Sequence, residues 1–172
     1  YIDFASVFKR LVKASDFYAS QRTSEGVVEN YSNINDRYID VSKAKPTDNV
    51  VYVNIDARHL NVHRPINIYG LSSDKNAPTV VINLVGADSL RIVRSKINLY
   101  YDCKDTPLED GEDHDVPHRL LWNFGSQEQR IHFVEEGFMG SVLAPNATVS
   151  VHEGLDGNIV ANVVNIFDAD TN

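Results

Sequence analysis

The chain has 172 residues, 42% of them hydrophobic and 23% charged, which is enough to bury a core without a metal or a disulfide. Sixteen basic and 24 acidic residues give a formal charge of −8, and such a surface repels nucleic acid and anionic membranes. No apolar run reaches the roughly 18 residues that a membrane span needs, so we expect no membrane insertion. The composition predicts a single domain, 1–172, and its one cysteine, Cys103, excludes an internal disulfide.

An amphipathic helix is the first predicted element, over residues 2–20. Its apolar residues recur at every third or fourth position and are Phe4, Val7, Phe8, Leu11, Val12 and Tyr18. Asp3 precedes this stripe as a suitable N-cap, because its carboxylate can accept hydrogen bonds from the free amides of the first turn. Residues 21–48 follow as a polar loop with one short strand at 38–41.

The next region, 49–168, is predicted as a β-rich body from short runs of β-branched and aromatic residues. The runs lie at 50–52, 60–62, 66–68, 80–84, 90–92, 120–124, 131–134, 141–143, 148–151 and 159–167. No second helical pattern separates them, so alternating strand–helix units are not expected. The sequence therefore predicts a mainly β domain with one helix packed alongside.

A weak internal repeat lies near the end of the chain. Residues 140–144 (GSVLA) and 157–161 (GNIVA) are 17 positions apart, and each is followed by an asparagine and a second β run. A fixed period of like residues predicts the stacked coils of a β-solenoid, in which each coil covers the hydrophobic face of the next. The alternative is a β-sandwich in which the similarity arises by chance.

Three motifs in the second half of the chain, together with its first helix, carry a family resemblance. They are LLWNF at 120–124, GSVLAPNA at 140–147, GLDGNIVA at 154–161, and IDFASVF at 2–8. In this order they resemble the choice-of-anchor A domain of bacterial surface proteins. The resemblance implies a secreted adhesive module with a β-solenoid-like body, one accompanying helix and no catalytic residues. The Gly-rich coils that usually precede the helix in that family do not occur here, so we expect part of the domain upstream of Tyr1.

The motif residues also have a physical interpretation of their own. Trp122 is expected in the core, since large aromatic side chains are mostly buried. Gly140 and Gly157 would permit tight corners or close contact between coils. Asn123 and Asn146 are expected at corners, where asparagine can bond its own backbone. These residues describe a scaffold and do not select a ligand.

An acidic loop, 102–118, is the sharpest candidate for chemistry. Carboxylates at this density can share a hard cation such as calcium, which takes six to eight oxygen ligands. Alternatively, His114 and His118 with a carboxylate could hold a transition metal. The candidate metal ligands are Asp110, Glu112, Asp113, His114 and Asp115. The run does not match the Asp-x-Asp-x-Asp-Gly calcium pattern, so a solvated loop is the leading interpretation, and a surface for a basic partner is the third.

The sequence gives little support for a histidine metal site, a catalytic motif or an ice-binding surface. His59 and His63 would lie roughly 13 Å apart along a strand, so we do not expect them to share a metal. No Gly-x-Ser-x-Gly elbow, phosphate-binding glycine loop or His-Glu-x-x-His helix occurs, and we expect no enzyme, although spatially paired carboxylates leave glycoside cleavage open. The six threonines are scattered and no Thr-x-Thr occurs, so flat ranks of threonine for ice binding are not expected.

The function that these observations favour is non-catalytic adhesion or surface display outside the cell. The resemblance implies a glycan or a matrix or host surface protein as the partner, and we expect it to bind across an exposed sheet face or by loops such as 102–118. The alternative is a structural subunit of a fibre or matrix, which would assemble through an exposed β edge.

Overall fold

The computed structural model describes residues 3–86, 88–108, 119–152 and 155–166. These residues form helix α1 (Phe4–Ala19), a short 3₁₀ helix (Ala57–Leu60) and 13 strands. The strands are β1 (Val28–Asn30), β2 (Arg37–Asp40), β3 (Val50–Asp56), β4 (Ile66–Leu71), β5 (Thr79–Val85), β6 (Leu90–Val93), β7 (Ile97–Tyr101), β8 (Leu120–Asn123), β9 (Gln129–Phe133), β10 (Phe138–Met139), β11 (Ser141–Val151), β12 (Leu155–Asp156) and β13 (Ile159–Ile166).

The strands pair mostly in parallel with strands that are not their neighbours in sequence. A four-stranded sheet has the order β1-β2-β4-β7, and a seven-stranded sheet has the order β3-β5-β8-β11-β9-β6 with β13 also on β11. Among the strands of the described residues, β1 is the one that pairs in antiparallel fashion, against β2. Parallel neighbours require the chain to return to the same end each time, and we call each such passage through the sheets a coil. The result is a mainly β domain with a curled parallel sheet and one helix.

Strand β11 shows how the sheet curls. Its first half, 141–143, pairs with β8, and its second half, 147–151, pairs with β9. Pro145 lies between these halves, where the register shifts, because proline has no amide hydrogen to give to a ladder. This parallel pairing does not fit the antiparallel sheets of the β-sandwich alternative.

The 17-residue repeat is confirmed as a contact between neighbouring coils. Val142 pairs with Ile159 and Ala144 with Ala161, so the two segments lie side by side in parallel. Gly140 and Gly157 have φ values of 109° and 148°. A Cβ built on Gly157 would lie 2.1 Å from the carbonyl oxygen of Gly140, so the close approach of the two coils requires glycine there.

The core consists of inward-facing side chains stacked from coil to coil. One such column passes through Val53, Ile82, Trp122 and Val142, and all four are fully buried. The indole Nε1–H of Trp122 donates to the carbonyl oxygen of Met139 at 2.9 Å, which satisfies its only polar atom. The core position predicted for Trp122 is therefore confirmed.

Helix α1 begins as predicted, with the Asp3 carboxylate accepting from the amides of Ala5 and Ser6. Its apolar stripe is only partly packed, however. Leu11 and Val12 are half-buried, whereas the stripe residues of the first turns, Phe4, Val7 and Phe8, are exposed. The buried residue of the helix is Ser15, so the docking contact is polar, which apolar periodicity does not reveal.

Three sequence predictions of strands need correction. Residues 60–62 are not a strand, because the Asp56 side chain caps the 3₁₀ helix by accepting from the amide of Arg58. Strand β7 was absent from the predicted runs, although it pairs with β4 and its residues Ile97 and Leu99 are fully buried. Strand β1 lies inside the segment 21–48 that was predicted as a polar loop containing only the strand at 38–41.

Candidate binding face

A ladder of three tyrosines lies on the outward face of the four-stranded sheet. Tyr38, Tyr69 and Tyr100 come from β2, β4 and β7, and each is half-exposed. The ring centroids are 5.7 Å apart between Tyr38 and Tyr69 and 4.7 Å apart between Tyr69 and Tyr100. The alternation of a strand explains this placement, since the residues before each tyrosine point into the core and the tyrosines point out.

A line of hydrogen-bonded polar groups runs beside the tyrosines. The amide of Asn98 donates to Oδ1 of Asn67 at 3.0 Å, and the amide of Asn67 donates to Oδ1 of Asp36 at 3.0 Å. The Tyr69 hydroxyl donates to the same Asp36 oxygen at 2.9 Å. Partial burial and this bond to Asp36 raise the pKa of Tyr69 to about 12. The network fixes both the phenol and the amides in one orientation.

An open pocket of about 440 Å³ adjoins the ladder. Its lining consists of Asp40, Ser42, Tyr69, Gly70, Tyr100, Cys103, Lys104 and Asp105. Two carboxylates against one ammonium make the pocket acidic, so the chemistry of this face suits an uncharged, hydroxyl-rich ligand better than an anion. We call the tyrosines, the two asparagines Asn67 and Asn98, and this pocket the tyrosine face.

The start of the acidic loop borders this pocket. The carboxylate of Asp102 accepts from the backbone amide of Ser73 at 3.0 Å and from its hydroxyl at 2.5 Å. These bonds lower the pKa of Asp102. Asp102 therefore anchors the turn after β7, with its oxygens engaged by Ser73.

The candidate metal ligands cannot be placed from this structure. Asp110, Glu112, Asp113, His114 and Asp115 all lie outside the described residues. Within the described ranges, no three histidine, cysteine, aspartate or glutamate side chains converge on a point where an ion could sit. The calcium hypothesis for the loop stays a prediction.

The two histidines of the 3₁₀ region lie in different surroundings. The ring of His59 stacks on that of Tyr31 with centroids 4.1 Å apart, and burial lowers the pKa of His59. Nδ1 of His63 lies 3.6 Å from a carboxylate oxygen of Glu135. His59 is thus packed against an aromatic ring, and His63 lies beside a surface carboxylate.

The tyrosine face was not predicted from the sequence, although the sequence contains a repeat that marks it. Residues 36–38 (DRY), 67–69 (NIY) and 98–100 (NLY) form a triplet repeated every 31 positions. Each triplet places a tyrosine two residues after a carboxylate or amide, on the same side of a strand. This period matches the pairing of β4 with β7, in which Asn67 lies opposite Asn98, but β2 is offset from it, since Tyr38 lies opposite Asn67.

Other asparagines of the motifs have a different role. Asn123, which was predicted at a corner, is instead buried within β8 under helix α1. Asn146 lies at the bend of β11, as predicted, and its amide donates to the carbonyl oxygen of Ser126.

The part of the chain that the structure describes contains no helix long and apolar enough to cross a membrane.

The architecture and the outward face define the class: a mainly β domain that displays an aromatic and polar surface. The chain belongs to the family described as "Putative Ice-binding-like adhesive domain", whose model matches residues 1–169. No curated protein and no solved structure matched the chain. The flat ranks of threonine that ice binding would use are not formed by the described threonines, which do not stack on neighbouring strands. Thr148, for example, lies between Arg130 and Val163.

Proposed function

We propose that the chain is a non-catalytic extracellular adhesion domain of a bacterial surface protein, and that it binds a neutral glycan through the tyrosine face. The observation that carries this proposal is the ladder of Tyr38, Tyr69 and Tyr100 beside the hydrogen-bonded pair Asn67 and Asn98. The adhesive family supports an external partner and a surface location. The finer kinship to choice-of-anchor A domains, and a body built as a β-solenoid, are part of the same proposal.

The chemistry of the ladder matches a sugar chain. One face of a pyranose ring carries C–H groups, which pack on the electron-rich face of an aromatic ring. Its hydroxyls both donate and accept, as do the amides of Asn67 and Asn98. Neighbouring strands lie about 4.8 Å apart, which is close to the length of one pyranose unit, so successive sugars of an extended chain would meet successive tyrosines.

The charge of the face limits the kind of glycan. Asp36 lies within the polar line, and Asp40 and Asp105 line the pocket. These carboxylates, on a chain with a net charge of −8, would repel sulfated or uronic sugars. We therefore propose a neutral polysaccharide or a neutral host glycan as the ligand class. Several modest contacts of this kind give adhesion when many copies are displayed together.

A glycan array probed with the wild-type chain and with Tyr69→Ala tests the proposal. Tyr69 is the middle of the ladder, so its loss separates the other two rings. We expect wild-type binding to neutral glycans and a loss of at least about tenfold in Tyr69→Ala, equivalent to about 1.4 kcal/mol. Tyr69→Phe keeps the ring, and it should retain most of the affinity.

Phe17→Ala is the matched control, because Phe17 is an exposed aromatic residue on helix α1, away from the sheet face. It should bind as the wild type does. Binding that is confined to anionic glycans, or that survives Tyr69→Ala unchanged, would overturn the assignment of the site. Turnover of a bound polysaccharide would overturn the non-catalytic part of the proposal.

Self-assembly into a fibre is the second candidate function, and the exposed strand β13 favours it. A fibre that grows end to end needs two complementary open surfaces, one at each end of the stack. Electron micrographs of concentrated protein distinguish the candidates, since filaments support the structural subunit and their absence supports the adhesion domain.

A further inference from the structure

The end of the stack formed by β13 is apolar and uncovered by any described residue. Val164 pairs with Val149, and Ile166 pairs with Val151. Val149 and Val151 are 0% and 6% exposed, whereas Val164 and Ile166, one coil further on, are 39% and 78% exposed. The columns of the core therefore continue to β13 and meet solvent there.

The opposite end of the stack is covered by the chain itself. Ser24 accepts the amide of Tyr52 on its hydroxyl and donates its own amide to the carbonyl oxygen of Tyr52, so it pairs with the outer edge of β3. Strand β1 covers the outer edge of β2. In this first coil Val53 and Ile39 are fully buried. One end of the stack is thus covered by other segments of the chain, whereas the other end exposes apolar side chains.

Helix α1 is longer than the stack that it flanks. The carbonyl oxygens of Gln21, Tyr18 and Ser15 accept from asparagines on β3, β5 and β8 in turn. Three residues of helix rise about 4.5 Å, which is close to one strand spacing. The helix also contacts β11. By the same step, residue 9 would come level with β13 and the first turn would extend beyond it. Phe4, in that first turn, is 76% exposed.

Strand β13, which forms the edge of the open end, carries no charge of its own. The eight residues of β13 include no Asp, Glu, Lys or Arg, although edge strands in monomeric proteins usually carry charges that prevent pairing. The covered end, by contrast, carries Glu25, Glu29 and Lys45 on its surface. On a chain of charge −8, an uncharged edge lets two copies meet without direct repulsion between the paired strands.

We propose that the open end binds the open end of a second copy, with β13 antiparallel to β13 across a two-fold axis. The open end is formed by Val160, Val163, Val164 and Ile166 on β13 and by Phe4, Val7 and Phe8 on α1. Pairing satisfies the free edge of each β13, closes the core of each copy, and places each overhanging helix turn along the other copy. Because the covered ends cannot pair in this way, the assembly closes at two chains.

Sedimentation velocity over a wide concentration range tests this proposal. We expect the mass to rise from one chain to two and to stop there. Val163→Lys places two like charges near the centre of the paired edges, so the dissociation constant should rise at least tenfold. Val28→Lys is the matched control, since Val28 is an equally exposed valine on β1 at the covered end, and it should dimerise as the wild type does.

A second variant, Ile166→Lys, should also weaken dimerisation. It should fold as the wild type does, because a side chain that is 78% exposed can change without disturbing the core. Single chains at every wild-type concentration, masses that grow beyond two, or an equal effect of Val28→Lys would each overturn the proposal. Affinity for a soluble oligosaccharide per chain should be the same in Val163→Lys and in the wild type, so a failure of dimerisation is separable from a failure of glycan binding.

Discussion

The hydroxyl of Ser15 donates to Oδ1 of Asn123 at 2.7 Å, across 108 residues of sequence, and the amide of Asn123 donates back to the Ser15 carbonyl oxygen at 2.9 Å. The same amide donates to Oδ1 of Asn83, whose own amide donates to the carbonyl oxygen of Tyr18 and to Asn54. A ladder of asparagines thus joins successive coils and holds the helix across them. It makes the helix part of the scaffold.

Asn123→Ala is expected to lower the free energy of unfolding by about 3 kcal/mol, since it leaves the buried polar groups of Ser15 and Asn83 without their partners. Urea denaturation, followed by the fluorescence of Trp122, measures the change. Asn98→Ala is the matched control, because Asn98 also bonds to an asparagine one coil away but on the half-exposed tyrosine face. Its effect should stay below about 1 kcal/mol, and an equal effect of both variants would contradict a docking role for Asn123.

Gly157→Ala is expected to destabilise the last coils by roughly 2–4 kcal/mol, because a Cβ there meets the backbone of Gly140 and the φ of 148° is unfavourable for alanine. Thermal unfolding measures the loss. Asn158→Ala, one residue on and exposed, should change stability by no more than about 0.5 kcal/mol. A stable Gly157→Ala variant would mean that these coils do not approach so closely.

The pH dependence of stability should carry a contribution from Tyr69. Its pKa is about 12 in the folded chain, against a usual value of 10.0, through burial and the bond to Asp36. Folded Tyr69 keeps its proton where the unfolded chain releases it, so this stabilisation is complete below pH 10 and is lost as the pH rises towards 12. Denaturant titrations across this pH range should show that the free energy of unfolding falls less steeply in Tyr69→Phe than in the wild type.

Asp36→Asn provides the corresponding check on the cause of that shift. It removes the acceptor charge, and the absorbance titration of the Tyr69 phenol should then move towards pH 10. An unchanged titration would leave burial alone as the cause.

The calcium hypothesis for residues 110–115 predicts a higher melting temperature when calcium is added, because an ion that binds the folded state stabilises it. Asp113→Asn should abolish that rise. An unchanged melting temperature with calcium and with zinc would remove the hypothesis and leave a solvated loop.

Local signals in the sequence predicted the local features of the fold. The Asp3 cap, the period of α1 and the pair Gly140 and Gly157 each depend on residues close together in the chain or on a short repeat. The polar contacts between coils were not predicted, because the coils have unequal lengths. Val51 pairs with Val80, 29 residues on, whereas Val80 pairs with Leu120, 40 residues on.

The candidate site was not predicted from the sequence either. Tyr38 and Tyr69 have a regular spacing, but each belongs to a short strand whose outward residues look like ordinary polar positions. In the folded sheet Tyr38 lies opposite Asn67, so its ring meets that of Tyr69 diagonally, at 5.7 Å between centroids. Likewise, the exposure of Phe4 follows from the length of the helix relative to the stack, which the apolar stripe alone does not encode.

Isothermal titration with neutral oligosaccharides of increasing length, chosen from the best array ligand, tests the central claim most directly. A ladder of Tyr38, Tyr69 and Tyr100 predicts that affinity rises with each sugar up to about three and then levels off, and that Tyr100→Ala shortens this rise by one unit. An affinity that is independent of chain length, or that is insensitive to substitution of the tyrosines, would contradict glycan binding by this face.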